Sequence, residues 1–379
     1  MYQVQQKEKN TLLFLSYLYK KKSISISEAA SDLKMTYPTI KRILDELLKD
    51  ELVLKLLPTY STIGRSPATF KINEELIFSI GVLIEVDKLS FILSNIYGEI
   101  VKEKILSNVF FNQENFKNIF FKEFDIFFNS LSSNYKDKII GAGISFPGIV
   151  NNDTLLIKNG INLNINNISL VELRNKYDFE FYIENEANAS VYSEKILGVG
   201  KAYSDFILLS IASGIGMGVY LNSKIYRGIN GMAGEVGHTC LIPNGKDCKC
   251  GNKGCWELYA SETALIKEGN HYFNEKLDSL YAVTSMLKGD EELIKNYIFY
   301  LSIGIRNLLF SLDITNIIIS GEITKYISRY EKEIQEILKS NTFLKNININ
   351  IKFSNLHENS SIVGAALIPI SKYFTIIED

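Results

Sequence analysis

His238, Cys248, Cys250 and Cys255 fall within eighteen residues, in the run GEVGHTCLIPNGKDCKCGNKGCWE, and account for three of the chain's four cysteines and one of its three histidines. A neutral imidazole with three thiolates is a set that Zn²⁺ takes up tetrahedrally. Four protein ligands leave the ion no open position, so the spacing predicts a structural zinc site and no catalytic one. Glu235 lies three residues before the histidine and Glu257 two after the last cysteine, so the same knot of backbone would hold two carboxylates at fixed places. Such a knot can wall a polar pocket. Glycines beside the cysteines supply the tight turns that a metal loop needs. Cys240 has no partner by spacing and is expected in the core, since a free thiol packs as a small hydrophobe. Few cysteines, clustered as ligands, argue against disulfides and for a reducing, cytoplasmic setting.

The chain has 379 residues, room for two or three domains. Charge is divided by region: residues 1 to 73 carry twelve Lys or Arg against seven Asp or Glu, and the remainder 29 against 36. A basic head on an acidic body suits a polyanion at the head alone. The longest early apolar run, Leu12 to Tyr19, is too short to cross a membrane, and no membrane partner is expected.

Thr11 to Lys20 places Leu12, Leu13, Phe14, Leu15, Tyr17 and Leu18 at spacings that predict a short helix with a broad apolar face. Ser25 with Glu28 reads as a capping box opening a second helix, packed through Ala29, Ala30 and Leu33. Thr36 caps a third, to about Lys49, with Pro38 tolerated in its first turn. Ile40, Ile43, Leu44, Leu47 and Leu48 face inward. That leaves Thr36, Tyr37, Thr39, Lys41 and Arg42 at the outer N-terminal end, where the last helix of a helix-turn-helix meets base edges and phosphates. Leu52 to Leu57 and Thr69 to Ile72 alternate like hairpin strands. Between them, Thr59 to Pro67 carries Arg65 between Gly64 and Ser66-Pro67, a shape for a narrow minor groove; a solvated hairpin loop is the plain alternative.

From Ile77 onward strands and helices alternate. Phe78 to Val86 pairs with Lys88 to Leu93, and Ile139 to Phe146 is a further strand. Residues 206 to 212 and 215 to 221 flank Ser213 to Gly218, and Asn316 to Ser320 runs into Gly321. Two such series predict two α/β lobes facing each other across a cleft, where ligands commonly bind. The expected division is a winged helix-turn-helix domain over 1–73, a first lobe over 74–190 and a second over 191–379, the last helix being free to return to the first lobe.

On these motifs the chain resembles the ROK family (repressors, open reading frames and sugar kinases), a branch of the two-lobed actin-like, ribonuclease H-like sugar kinase fold. The metal segment has the family's spacing, TYPTIKRILDELLKDELV and GRSP are similar to its repressors' recognition helix and wing, and ENEANAS, SFPGIV and SGIGMGVYLNSKIYRGINGMAGE are similar to its other blocks. The resemblance implies a sugar between the lobes, hydrogen-bonded by Asn185, Glu235, His238 and Glu257, with Gly148 and Asn162 as further contacts and His238 ligating zinc through its other ring nitrogen. Capping is the alternative role for Asn185. The family's kinases carry an Asp and glycines where this chain has Leu83, Glu85 and Val86, so ATP is not expected to fit. Glu186 stands at the kinases' catalytic Asp, a vestigial base beside the sugar. The glycine loop Gly214 to Gly218 and Ser320-Gly321-Glu322 resemble the kinases' phosphate and adenine contacts, here relics of the fold.

The resulting expectation is a regulator, not an enzyme: a repressor of carbohydrate-utilisation genes, dimeric or a dimer of dimers on operator DNA, released by a sugar. Glu186 in ENEANAS resembles the xylose repressors, which favours xylose. The competing expectation is an ATP-dependent sugar kinase that has kept a DNA-binding head.

Overall fold

A computed structural model describes residues 2–56, 60, 61, 64, 65, 68–287 and 292–377. Three helices open the chain: α1 (Tyr2–Lys21), α2 (Ile26–Asp32) and α3 (Tyr37–Lys49). The Ser25 hydroxyl accepts the Glu28 amide at 3.2 Å while Glu28 accepts the Ser25 amide at 2.8 Å, so two donors of the first turn of α2 are satisfied reciprocally. Thr36 Oγ1 accepts the Thr39 amide at 3.3 Å and starts α3, which buries Ile40, Ile43, Leu44 and Leu47. Val53–Leu56 pairs antiparallel with Thr69–Ile72, and Ile24–Ser25 adds a third strand. Within the intervening loop, Tyr60–Ser61 pairs with Gly64–Arg65.

The body holds two five-stranded sheets of one topology. Numbering the strands of each sheet in chain order, both read 3-2-1-4-5: Phe78–Ile84, Lys88–Asn95, Ile100–Ser107, Ile139–Phe146 and Glu180–Asn185 in the first, and Phe206–Ile211, Ile215–Leu221, Lys224–Ile225, Asn316–Ser320 and Asn350–Phe353 in the second. In each, strands 1, 2 and 3 are an antiparallel meander and strands 1, 4 and 5 run parallel. Phe91, Phe116, Phe120, Phe124, Phe127 and Phe181 fill the first core. In the second, Trp256 lies against Gly304 and donates to the Tyr300 carbonyl at 3.1 Å.

Two helices join these halves. Glu186–Ile196 leaves the first sheet and packs under the second, where Gly218 allows close approach: a Cβ there would stand 2.8 Å from the Ala187 carbonyl oxygen. The C-terminal helix Ser360–Phe374 packs on Glu186–Ile196 and crosses the first sheet. Ser79 donates to the Ala366 carbonyl at 2.6 Å. Its end meets the head: the Tyr19 ring of α1 stacks on Phe374 and Tyr97, the Tyr19 hydroxyl donates to the Ile96 carbonyl at 2.7 Å, and Ser16 donates to the Phe374 carbonyl.

Three expectations are corrected. The first helix starts at Tyr2 rather than Thr11, and its apolar face is narrower, because Phe14, Leu15 and Leu18 are buried while Leu12 and Leu13 point to solvent. Cys240 is exposed, since its neighbours on both sides are tied to the ligand loop and turn its thiol outward. The small antiparallel sheet Ile149–Asn151, Leu156–Gly160 and Ile165–Ser169, unforeseen, adds a rim to the first lobe.

The backbone of the C-terminal helix lies so close to the first sheet that a Cβ on Gly143 would stand 2.0 Å from the Ala365 carbonyl oxygen. Gly143→Val is expected to lower stability by about 1–3 kcal/mol, read from a denaturant titration. An unchanged midpoint would mean that this helix is not docked as described.

Candidate functional site

The residues His238, Cys248, Cys250 and Cys255 place one ligand atom each so that all four lie within 4.8 Å of one another. Cys250 Sγ is 3.6 Å from Cys255 Sγ, and His238 Nδ1 is 3.6 Å from Cys248 Sγ. The edge of a tetrahedron of thiolates about 2.3 Å from an ion is about 3.7 Å, so the separations fit Zn²⁺. The donor chemistry agrees: burial and the neighbouring thiols push the Cys255 thiol far above its ordinary range, a conflict that a bound cation removes. Backbone turns build the loop, with the Leu241 amide donating to Gly254 at 2.7 Å and the Cys248 amide to Asn252 at 2.9 Å.

With Nδ1 turned to the thiols, His238 offers Nε2 to the other side, 3.9 Å from Glu235. Glu257 is divided in the same way: Oε1 lies 3.4 Å from both His238 Nδ1 and Cys248 Sγ, and Oε2 lies beside Gly214, whose missing side chain leaves it room. Glu235 follows Gly234, which has φ 113° and approaches the Met217 carbonyl too closely for a Cβ. Burial, then Glu257, raises the Glu235 carboxyl above its ordinary range, and His238 opposes the shift.

These groups wall one cleft together with Gly148, Asn162, Asn185 and Glu186. All seven residues read from the sequence as sugar contacts are therefore brought together. Asn185 is the cap of helix Glu186–Ile196: its Oδ1 accepts the Ala187 amide at 2.9 Å and its Nδ2 donates to the Gly148 carbonyl at 3.0 Å, leaving one N–H and one lone pair for a ligand. Asn159 and Ser210 also line the cleft and were not foreseen. Behind it, Arg227 donates to Glu184 at 2.8 Å and to the Tyr192 hydroxyl at 3.2 Å, while Glu184 accepts the Asn185 amide at 3.0 Å. One half-buried ion pair thus ties the cap of the cleft helix to the loop that delivers Glu235. Glu184 and Arg227 lie within the ENEANAS and SGIGMGVYLNSKIYRGINGMAGE blocks, but nothing in the sequence joins them as a pair.

Deeper between the lobes the character is anionic. Leu83 is buried, and Glu85 stands just past its strand, paired with Lys88 at 2.6 Å. Burial first, then Glu85, push Glu186 up to about 7; burial, then Glu322, Glu186 and Glu85, push Glu262 up to about 7 although it accepts the Ile323 amide at 3.0 Å. Glu262 is thus set among the charges of Glu322, Glu186 and Glu85. Gly216 and Gly218 pack against helix Glu186–Ile196, so the glycine loop serves packing.

In the head, Thr36, Tyr37, Lys41 and Arg42 are exposed and Thr39 half-buried. The hydroxyls of Thr36 and Thr39 bond each other at 2.8 Å, which makes them caps before they are contacts. Arg65 lies on the second strand of the loop hairpin, and its side chain is outside the described residues.

The ROK family model matches residues 79–372. The xylose repressor of Bacillus subtilis (strain 168) is 30% identical over 377 residues, covering 98% of this chain and 97% of that protein. The crystal structure of a ROK family transcriptional regulator, a homologue of the E. coli MLC protein, superposes with a TM-score of 0.77 at 21% identity, over 97% of each chain. A ROK family glucokinase from Streptomyces griseus, solved with glucose and AMPPNP, superposes with a TM-score of 0.66 at 20% identity, over 76% of this chain and 98% of its own.

Glu186 and Glu262 bind protons near pH 7 in the folded chain and only near 4.5 when unfolded. Their contribution to stability is therefore complete below about 4.5 and lost as pH rises through about 7. The melting temperature should fall between about pH 4.5 and 7 and level off above, and Glu262→Gln should flatten that fall. An equal slope in both proteins would show that Glu262 is not held in this anionic setting.

Proposed function

The chain belongs to the ROK family, and on that premise we propose that it is a sugar-responsive transcriptional repressor: a winged helix-turn-helix binds operator DNA, and a sugar entering the interlobe cleft releases it. The observation that carries this reading is the convergence of Glu235, His238 Nε2 and Glu257 on the cleft. A sugar hydroxyl donates and accepts at once, and two carboxylates with a neutral imidazole give it charge-assisted acceptors and a donor. Zn²⁺ in the Cys3His group would hold these groups in place. Xylose is the favoured sugar, supported by the xylose repressor that spans nearly all of this chain.

In the head, α3 projects Tyr37, Lys41 and Arg42 from its N-terminal half, and the loop hairpin carrying Arg65 is the wing. Lys41 and Arg42 suit phosphates and guanine edges, and Arg65 a narrow minor groove. The protein acts as a dimer, because two heads on a two-fold axis read a palindromic site.

No kinase activity is assigned. Leu83 replaces a phosphate-facing Asp, Glu85 and Val86 replace glycines, and the carboxylates of Glu85, Glu186, Glu262 and Glu322 repel a triphosphate. Glu186 is a cleft residue and the remnant of a base.

Release follows by linkage: a sugar that favours one arrangement of the lobes, and an operator that favours another, weaken each other equally. The physical link is continuous. Asn185 caps the helix Glu186–Ile196, that helix packs on Ser360–Phe374, and the end of the latter stacks on Tyr19 of α1.

Glu235→Gln and Glu257→Gln should each weaken xylose binding by about tenfold to a hundredfold, measured by calorimetry, while operator binding without sugar is retained; unchanged affinity would remove both from the pocket. Tyr19→Ala should keep sugar affinity but blunt the release of operator in a DNA-shift titration. Full release in that variant would contradict the helical link.

A further inference from the structure

The walls of the cleft divide into two sets by the charges that reach them. Glu235 is acted on by His238 and Glu257, on the side built from the ligand loop, whereas Glu186 is acted on by Glu85 and Lys88 of the first sheet. Glu186 therefore closes the cleft on the side away from the loop. The space left between the two sides is about 100 Å³, well below the about 300–1,000 Å³ of pockets that take drug-sized ligands. It is sized for one small ring.

Glu186 has little freedom to recede from that space. It is the first residue of the helix Glu186–Ile196, capped by Asn185, and its neighbour Ala187 is pressed on the second sheet, where a Cβ on Gly216 would stand 3.2 Å from the Ala187 Cβ. Ser210 Oγ lies 3.5 Å from Glu186 Oε1. On the far side the Glu85 carboxylate opposes a swing into the deeper cleft, and burial followed by that repulsion is what raises Glu186 to about 7. Its carboxyl end is left against the sugar space.

Sugar chemistry gives this wall a consequence. In the pyranose form of xylose the first four ring carbons carry hydroxyls and the fifth carries none. Glu235, Glu257 and His238 supply acceptors and a donor for neighbouring hydroxyls, so they take the hydroxylated edge, and the bare fifth carbon turns to the opposite wall. A hexose such as glucose bears its hydroxymethyl branch on that same carbon. We propose that Glu186 is the residue that selects pentoses over hexoses, its side chain filling the space that this branch would need. Asp, one methylene shorter on the same fixed backbone, leaves the branch room. A pocket wall that decides the fate of one carbon discriminates by about tenfold to two-hundredfold, enough to separate the two sugars.

This inference rests on the proposed function and names the feature of the sugar that its pocket reads. Calorimetric titration of the full chain should give a dissociation constant at least about tenfold lower for xylose than for glucose. Glu186→Asp should tighten glucose binding by about tenfold or more and change xylose binding less, whereas Glu186→Gln, which keeps the length and removes the charge, should hold the wild-type ratio within about threefold. Quinovose, which has a methyl group in place of the hydroxymethyl of glucose, tests the wild-type chain without any substitution, and it should also bind more weakly than xylose, because the wall excludes the carbon and not its hydroxyl. An unchanged ratio in folded Glu186→Asp, a ratio lost in Glu186→Gln, or quinovose or glucose bound by wild type as tightly as xylose would overturn the selection while leaving sugar sensing intact. A wild-type chain that bound none of these sugars would contradict the proposed function, and the selection with it.

Discussion

Three thiols and an imidazole crowded within 4.8 Å are a donor set that a cation would hold together, since as thiolates they would repel one another without one. The rest of the site depends on that constraint. The same turns that gather the ligands also aim His238 Nε2, Glu235 and one oxygen of Glu257 at the cleft. Two carboxylates near each other and partly out of water are costly, as the raised Glu235 shows. A cation bound behind them, together with hydroxyls in front, would offset the cost. Structural metal and effector pocket are in this view one device with two faces.

Around it the two lobes are coupled by two helices and an ion pair. Helix Glu186–Ile196 begins at the cleft and carries in its last turn Glu194, a fully buried carboxylate that accepts the Val199 amide and the Ser354 hydroxyl, so its far end is anchored as well as its cap. The ion pair of Arg227 with Glu184 holds the near end to the second lobe. A ligand that changed the angle between the lobes would move the C-terminal helix with it, because that helix packs on both Glu186–Ile196 and the first sheet. The end of that helix, at Phe374, stacks on Tyr19, where the head is seated, so the head would feel such a movement.

Much of this was legible in the sequence, because the signals were local. The capping box of Ser25 and Glu28, the Thr36 cap, the strand pairs around Glu85 to Lys88 and Ser213 to Gly214, and the ligand spacing are each fixed by neighbours a few residues apart. What stayed hidden depends on distant partners. Leu12 and Leu13 carry the hydrophobicity of core residues, and only the docking of α1 on Phe374 decides that they face outward. Cys240 is exposed because both flanks are bound to the ligand loop. Asn159 and Ser210 reach the cleft from two different sheets, and Glu262 meets Glu85 and Glu186 only once the lobes are assembled. The small sheet from Ile149 to Ser169 was obscured by asparagines, which score poorly as strand formers yet here pair across the ladder at Asn159 and Asn166 as well as sitting at the turn of Asn164.

The most direct measurement of the central claim is a calorimetric xylose titration of the full chain as purified, after its zinc has been stripped by a chelator, and after zinc has been returned, with metal content and circular dichroism followed alongside. The account predicts that stripping abolishes sugar binding while the sheets persist, and that zinc restores it. Stripped, metal-free protein that stays folded and binds xylose with unchanged affinity would contradict it.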